Sequence, residues 1–84
     1  MGACDTQTFS GITQARFDCL VQQAATAGIA ITGDAGEATR DGITIRWQFA
    51  PAGQTLELQC TDSPLFVPCG TINARIHALV DACP

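Results

Sequence analysis

The sequence predicts an α+β fold, in which a four-stranded antiparallel meander sheet carries an N-terminal and a C-terminal helix packed on one face (α-β-β-β-β-α). Apolar and polar residues alternate over residues 43–49 and again over residues 56–60, as they do in half-buried strands. The segments on either side repeat apolar residues every three or four positions, as amphipathic helices do. We therefore expect a disordered N-terminus over residues 1–8 and a single α+β domain over residues 9–84.

The N-terminal helix is predicted to begin after Ser10 and to end before Gly28. Ser10 suits an N-cap because its hydroxyl can accept a hydrogen bond from an amide in the first turn, and Gly28 can adopt the left-handed closing conformation. Four residues form the apolar stripe of this helix: Phe17, Leu20, Val21 and Ala24. Such a stripe needs an apolar sheet face to cover.

Turn residues predict the first two hairpins of the sheet. Residues 29–32 are expected to form the first strand, and the glycines of residues 33–36 suit a tight turn into the second strand. Asp41 and Gly42 are typical of a two-residue type I′ turn, which places Arg40 opposite Ile43.

The third hairpin is predicted from the loop of residues 50–53, in which Pro51 favours a type I turn and Gly53 is free to take a positive φ. A loop of that length places Trp47 opposite Leu56 and Ile43 opposite Cys60. Side-chain parity supports this register, because a shift of one residue would turn polar residues toward the core.

The same registers make predictions about both faces of the sheet. On the outer face Arg46 is expected between Glu37 and Glu57, and such pairs contribute about 0.2–1 kcal/mol each. On the inner face the small residue Gly36 beside Trp47 is expected to leave room for the indole ring.

The C-terminal helix is predicted to begin at Pro68, where the missing amide has no cost in the first turn. Six residues recur on its apolar side: Cys69, Ile72, Ile76, Leu79, Val80 and Cys83. The preceding connection places Leu65, Phe66 and Val67 between two prolines. This stiffened apolar run is interpreted either as a lid over the end of the core or as an exposed patch for a partner or a second copy of the chain.

Length and charge restrict the possible functions. A chain of 84 residues is near the lower limit for a self-sufficient core, so a dimer or a disulfide would help. Its net charge of −4 and four scattered arginines argue against nucleic acid as a partner. No apolar run is long enough to form a transmembrane segment. A short match to a myristoylation pattern does not lead us to expect lipidation at Gly2 or Cys4.

Five cysteines in a short chain leave the redox state open. Because the number is odd, the default interpretation is buried thiols in a reducing compartment, which slightly favours the cytoplasm over secretion. One or two disulfides in an oxidised, extracellular protein are the alternative.

One thiol constellation is a candidate reactive site. The predicted register sets Cys60, Ile43 and Arg40 in one row, and Cys69 begins the C-terminal helix, where the helix dipole and a guanidinium would favour a thiolate. Cys69 would be the nucleophile and Cys60 the resolving thiol. The simpler interpretation is that both cysteines are core residues or form a structural disulfide, and that Arg40 points to solvent.

No metal site and no cofactor are expected. The spacing of Cys60, Cys69, His77 and Cys83 matches no compact set of zinc ligands, and His77 lies off the apolar stripe.

The function interpreted from the sequence is a small non-enzymatic binding or assembly domain that acts through Leu65, Phe66 and Val67, or through a sheet edge, on a protein partner or in a homodimer. The alternatives are a thiol-dependent redox or enzymatic module that uses Cys69, and a disulfide-stabilised extracellular protein.

Overall fold

The computed structural model describes residues 3–83, which form a four-stranded antiparallel sheet and two helices. The elements in chain order are β1 (Gln7–Phe9), α1 (Gln14–Thr26), β2 (Ala35–Arg40), β3 (Ile43–Ala50), β4 (Thr55–Asp62) and α2 (Cys69–Asp81). Across the sheet the strand order is β1-β4-β3-β2. The predicted α+β class, with two helices and four antiparallel strands, is confirmed, although one of the four strands comes from a different part of the chain.

The prediction of a first strand at residues 29–32 is wrong. Gly28 has a φ of +86° and turns the chain at the end of α1. The Ile29 amide then donates to the Ala24 carbonyl at 2.8 Å, which directs the segment back toward the helix. Ile29 and Ile31 are half-buried against the core and form no strand beside β2.

The fourth strand is β1, which pairs antiparallel with β4 at the opposite edge of the sheet. Cys4 is buried just before β1 and forms a disulfide with Cys69. Within the segment that was expected to be disordered, residues 4–8 are held by this disulfide and by hydrogen bonds to β4. Residues 1 and 2, including the lipidation candidate Gly2, lie outside the described residues.

The β2–β3 hairpin has the predicted register. Arg40 lies opposite Ile43, and the two turn residues, Asp41 and Gly42, have φ values of 53° and 80°. Positive φ at both central positions is the signature of a type I′ turn. The Asp-Gly pair therefore determines this register locally.

The predicted β3–β4 register is wrong by two residues. β3 continues to Ala50, so the loop comprises residues 51–54, and Trp47 lies opposite Leu58. The positive φ, 52°, belongs to Gln54, whose carbonyl accepts a hydrogen bond from the Ile12 amide at 2.8 Å. A shift of two residues keeps every side chain on its predicted face, which is why the alternation alone did not reveal it.

The shift changes the row of charges on the outer face. Arg46 lies opposite Glu37 as predicted, but on its other side it faces Gln59. Glu57 instead faces Gln48. The predicted alignment of three charges is therefore wrong, because the longer β3 moves Glu57 to the next row.

Trp47 lies at the centre of the buried sheet face. It is 2% exposed, and its indole N–H donates to the Gly33 carbonyl at 3.1 Å. A Cβ at Gly36 would lie 2.7 Å from Cζ2 of the ring, so the predicted room beside Trp47 depends on this glycine. Phe17 of α1 stacks on Phe49 of β3 with ring centroids 4.3 Å apart, which places α1 on the same face.

The helices bury the predicted stripes. The buried helix residues are Phe17, Leu20 and Ala24 in α1, and Ile72, Ile76 and Val80 in α2. The N-cap of α1 is Thr13 and not Ser10, because the Thr13 side chain accepts a hydrogen bond from the Arg16 amide, whereas the Ile12 amide is bonded to the Gln54 carbonyl outside the helix. Neither helix within residues 3–83 is long and apolar enough to cross a bilayer.

Replacing Gly36 with alanine is expected to destabilise the protein by about 1–3 kcal/mol, because the new methyl group would overlap the Trp47 ring. Urea unfolding followed by Trp47 fluorescence measures this change. Gly70→Ala is the matched control, since a Cβ at Gly70 meets no atom within 4 Å. The control should leave stability unchanged or raise it by at most about 1 kcal/mol. Equal midpoints for Gly36→Ala and wild type would contradict the placement of Trp47.

Candidate functional site

One end of the helix pair is closed by a disulfide and a hydrogen bond. Cys19, in the middle of α1, is bonded to Cys83, which follows α2. Arg16 Nε donates to the Cys83 carbonyl at 2.9 Å, and its Nη1 donates to the Gly11 carbonyl at 3.1 Å. These contacts link the first half of α1 to the C-terminal end of α2.

The other ends of the helices are held over opposite edges of the sheet. The disulfide between Cys4 and Cys69 holds the start of α2 to the β1–β4 side, where the Cys4 amide donates to the Cys60 carbonyl at 2.8 Å. On the opposite side the Arg40 guanidinium of β2 occupies the space that a Cβ at Gly28 would fill, directly after α1. The helices are therefore held apart at these ends, and a groove remains between them above the sheet.

This groove is apolar and has a volume of about 560 Å³. Its walls are the second half of α1, one side of α2 and the 29–31 segment, and its floor is formed by β3 and β4. The apolar lining residues are Phe17, Leu20, Ala24, Ala27, Ile29, Ile31, Ile43, Ile45, Leu56, Leu58, Val67, Ile72, Ile76 and Leu79. Its volume is within the range of about 300–1,000 Å³ that is typical of small-molecule sites.

Four polar residues complete the lining: Arg40, Asp41, Thr71 and Arg75. All four are exposed, so they form the rim. Arg40 Nε lies 3.6 Å from Asp41 Oδ2. Arg75 forms no side-chain hydrogen bond or ion pair within residues 3–83, which leaves its guanidinium available to a ligand.

The loop of Leu65, Phe66 and Val67 adjoins the groove. Val67 lines the groove, whereas Leu65 and Phe66 are 88% and 85% exposed. Pro64 packs beside Gly42 of the β2–β3 turn, which places the loop next to the rim residues of that turn. Of the two interpretations of the loop, an exposed patch describes Leu65 and Phe66, because neither side chain covers the core.

The predicted thiol row is absent from the structure. Cys60 lies opposite Ile45 and not Ile43, because of the two-residue shift between β3 and β4. Cys69 is bonded to Cys4, so it carries no thiol that could act as a nucleophile. Cys60 is fully buried, and its Sγ donates to the Asp62 carbonyl at 3.2 Å.

The expectation of five reduced thiols is wrong in this structure, since four of the cysteines form two disulfides and Cys60 is the free one. An odd number of cysteines is consistent with two bridges when the remaining thiol is buried, where solvent oxidants do not reach it. The guanidinium of Arg40, which was predicted to favour a thiolate at Cys69, lies instead against Gly28.

His77 belongs to a polar contact between α2 and β1. Its Nε2 lies 2.9 Å from Gln7 Oε1, and its ring meets the Phe9 ring edge-on with centroids 5.0 Å apart. Within residues 3–83 no three side chains of the His, Cys, Asp or Glu type are close enough together to hold a metal ion.

Sequence reasoning missed the groove, although some of its signals are present. The C-terminal half of α1 is rich in alanine, and the side chains of Ala24 and Ala27 leave space above the sheet. The groove depends mainly on the disulfide pairing, which holds the two helix ends apart. The spacing of the cysteines in the sequence does not determine this pairing.

Comparisons of this chain with protein families, characterised proteins and solved structures found no match.

Proposed function

We propose that this protein is a small, non-enzymatic, disulfide-stabilised binding domain. Its binding surface is the groove together with the adjoining loop of Leu65, Phe66 and Val67. The observation that carries the proposal is a groove of 560 Å³ that is lined by apolar side chains and open to solvent. Large concave apolar surfaces with a few polar groups at the rim are the usual form of ligand sites.

Burial of apolar area supplies the binding energy in this proposal. Each square ångström of apolar surface removed from water contributes about 25 cal/mol. The groove is bounded by the sheet and two helices that disulfides hold in place, so little ordering is needed when a ligand binds. A preformed site loses less of its gross binding energy to ordering than a flexible one does.

The chemistry of the lining supports binding over catalysis. Arg40, Asp41 and Arg75 are its titratable side chains, and Thr71 supplies its hydroxyl. This set contains no nucleophile with a general base beside it, and acid-base and nucleophilic catalysis need such a pair. The thiol-dependent alternative loses support, since Cys69 is in a disulfide and Cys60 is buried.

The two disulfides support a location in an oxidising compartment, because such bridges persist outside the reducing cytoplasm. We therefore propose the extracellular alternative in place of the slight preference for the cytoplasm, which rested on the odd number of cysteines.

A neutral apolar dye, N-phenyl-1-naphthylamine, is expected to bind the groove saturably, with the rise in emission that accompanies transfer into apolar surroundings. Thr71→Phe should weaken this binding about tenfold, a loss of about 1.4 kcal/mol, because the added ring occupies the mouth of the groove. Fluorescence titration measures both values.

Thr26→Phe is the matched control for this experiment. Thr26 is exposed on α1 and lies outside the groove, so the same substitution there should leave the dye affinity unchanged. Dye binding that is absent, or that responds equally to the two substitutions, contradicts the groove as the site.

Self-association is a second candidate function, and the exposure of Leu65 and Phe66 favours it. Burying these side chains at an interface would contribute about 1.5–3 kcal/mol each. A homodimer would also extend the small core of an 84-residue chain. A homodimer is a protein-protein interaction that needs no second protein, so it can be tested with this chain alone.

If the loop mediates self-association, sedimentation equilibrium should show a mass that rises from monomer toward dimer with concentration. Phe66→Ser should shift this transition to at least about a hundredfold higher concentration, since one buried ring is lost from each copy and the dimer loses about 3 kcal/mol or more. Gln48→Ser, an exposed change on the outer face of β3, is the control and should have no effect. A wild-type protein that stays monomeric at every concentration contradicts this candidate.

A further inference from the structure

The rim of the groove has the opposite charge to the molecule as a whole. The chain contains four arginines and eight acidic residues, for a net charge of −4. Two of the four arginines, Arg40 and Arg75, line the groove, whereas Asp41 is its single acidic lining residue. The local charge at the rim is therefore positive, above a lining that is otherwise apolar apart from Thr71.

Arg40 and Arg75 differ in the polar contacts that their side chains already make. Arg40 lies against Gly28 at the C-terminal end of α1, where the helix dipole favours a cation, and it lies 3.6 Å from Asp41. Arg75 has no polar side-chain partner within residues 3–83. A bound anion would therefore compete with existing contacts at Arg40 but not at Arg75.

From this arrangement we propose that the groove binds an amphipathic carboxylate, a molecule with a linear alkyl chain and one anionic head group. The alkyl chain lies along the apolar floor formed by Ile43, Ile45 and Leu58, and the carboxylate pairs with Arg75 at the rim, with Arg40 as the second cation. This inference rests on the proposed function, because it names the ligand class of the same groove.

The chemistry of the rim selects this class over neutral and cationic amphiphiles. Guanidinium groups match the geometry of a carboxylate and can donate two parallel hydrogen bonds to it. A neutral alcohol would gain the apolar burial but not the ion pair. A cationic head group would be placed beside two like charges and would be disfavoured.

The experiment measures displacement of N-phenyl-1-naphthylamine by dodecanoate, dodecanol and dodecyltrimethylammonium, each below the concentration at which it forms micelles. For wild type, dodecanoate should bind about tenfold more tightly than dodecanol, as one charge-assisted pair at an exposed rim allows. Dodecyltrimethylammonium should bind more weakly than dodecanol. The preference for dodecanoate should decrease as salt is added, because exposed ion pairs are screened.

Arg75→Gln should remove most of the preference for dodecanoate over dodecanol, measured as the ratio of the two affinities in the same variant. Arg46→Gln is the matched control, since Arg46 is exposed on the outer face of β3, away from the groove. It should retain the full preference.

The outcomes separate this inference from the proposed function. If the dye binds and Thr71→Phe weakens it, but dodecanoate and dodecanol displace it equally, the groove is a binding site and the carboxylate inference is overturned. Equal effects of Arg75→Gln and Arg46→Gln overturn it as well. If the dye does not bind at all, the proposed function itself fails.

Discussion

The structure depends on two disulfides that anchor α2 at its two ends, one to α1 and the other to the segment before β1. Cys19–Cys83 draws α1 and the end of α2 together, and Cys4–Cys69 holds the start of α2 over the β1–β4 side of the sheet. Their sequence separations are 64 and 65 residues, and closing a loop of that length contributes about 4 kcal/mol by chain entropy alone. This contribution stabilises a chain of 84 residues, which is near the lower limit for a self-sufficient core.

The groove and the 65–67 loop are consequences of the same geometry. Because these helix ends are held apart, the groove above β3 and β4 extends to the β2–β3 turn, and Pro64 packs beside that turn. Leu65 and Phe66 then project to solvent at the edge of an apolar concavity. A molecule that covered both features would bury a continuous apolar surface, which is why a binding role accounts for their proximity better than a purely structural role does.

The sequence was sufficient for one hairpin and for the apolar faces of both helices. Asp41 and Gly42 specified a type I′ turn and with it the β2–β3 register, and the period of the apolar residues identified both helix stripes. The β3–β4 register was missed because a shift of two residues preserves the alternation, and the loop is fixed by a long-range hydrogen bond from Ile12. β1 was missed because three residues of strand carry little pattern, and the partners that hold them, β4 and the disulfide of Cys4, are distant in the sequence. The groove was missed for the same reason, since it follows from disulfide pairing.

Disulfide mapping tests this account most directly, because cleavage at the four arginines distributes the five cysteines over four tryptic peptides, of which one contains both Cys60 and Cys69. Oxidised protein would be unfolded in urea, alkylated without reduction and digested. We expect peptide 1–16 linked to peptide 47–75, peptide 17–40 linked to peptide 76–84, and a single alkylated thiol located by fragmentation at Cys60. A link between peptides 17–40 and 47–75, or alkylation at Cys69, would contradict the opposed anchoring of the helices and the groove that depends on it.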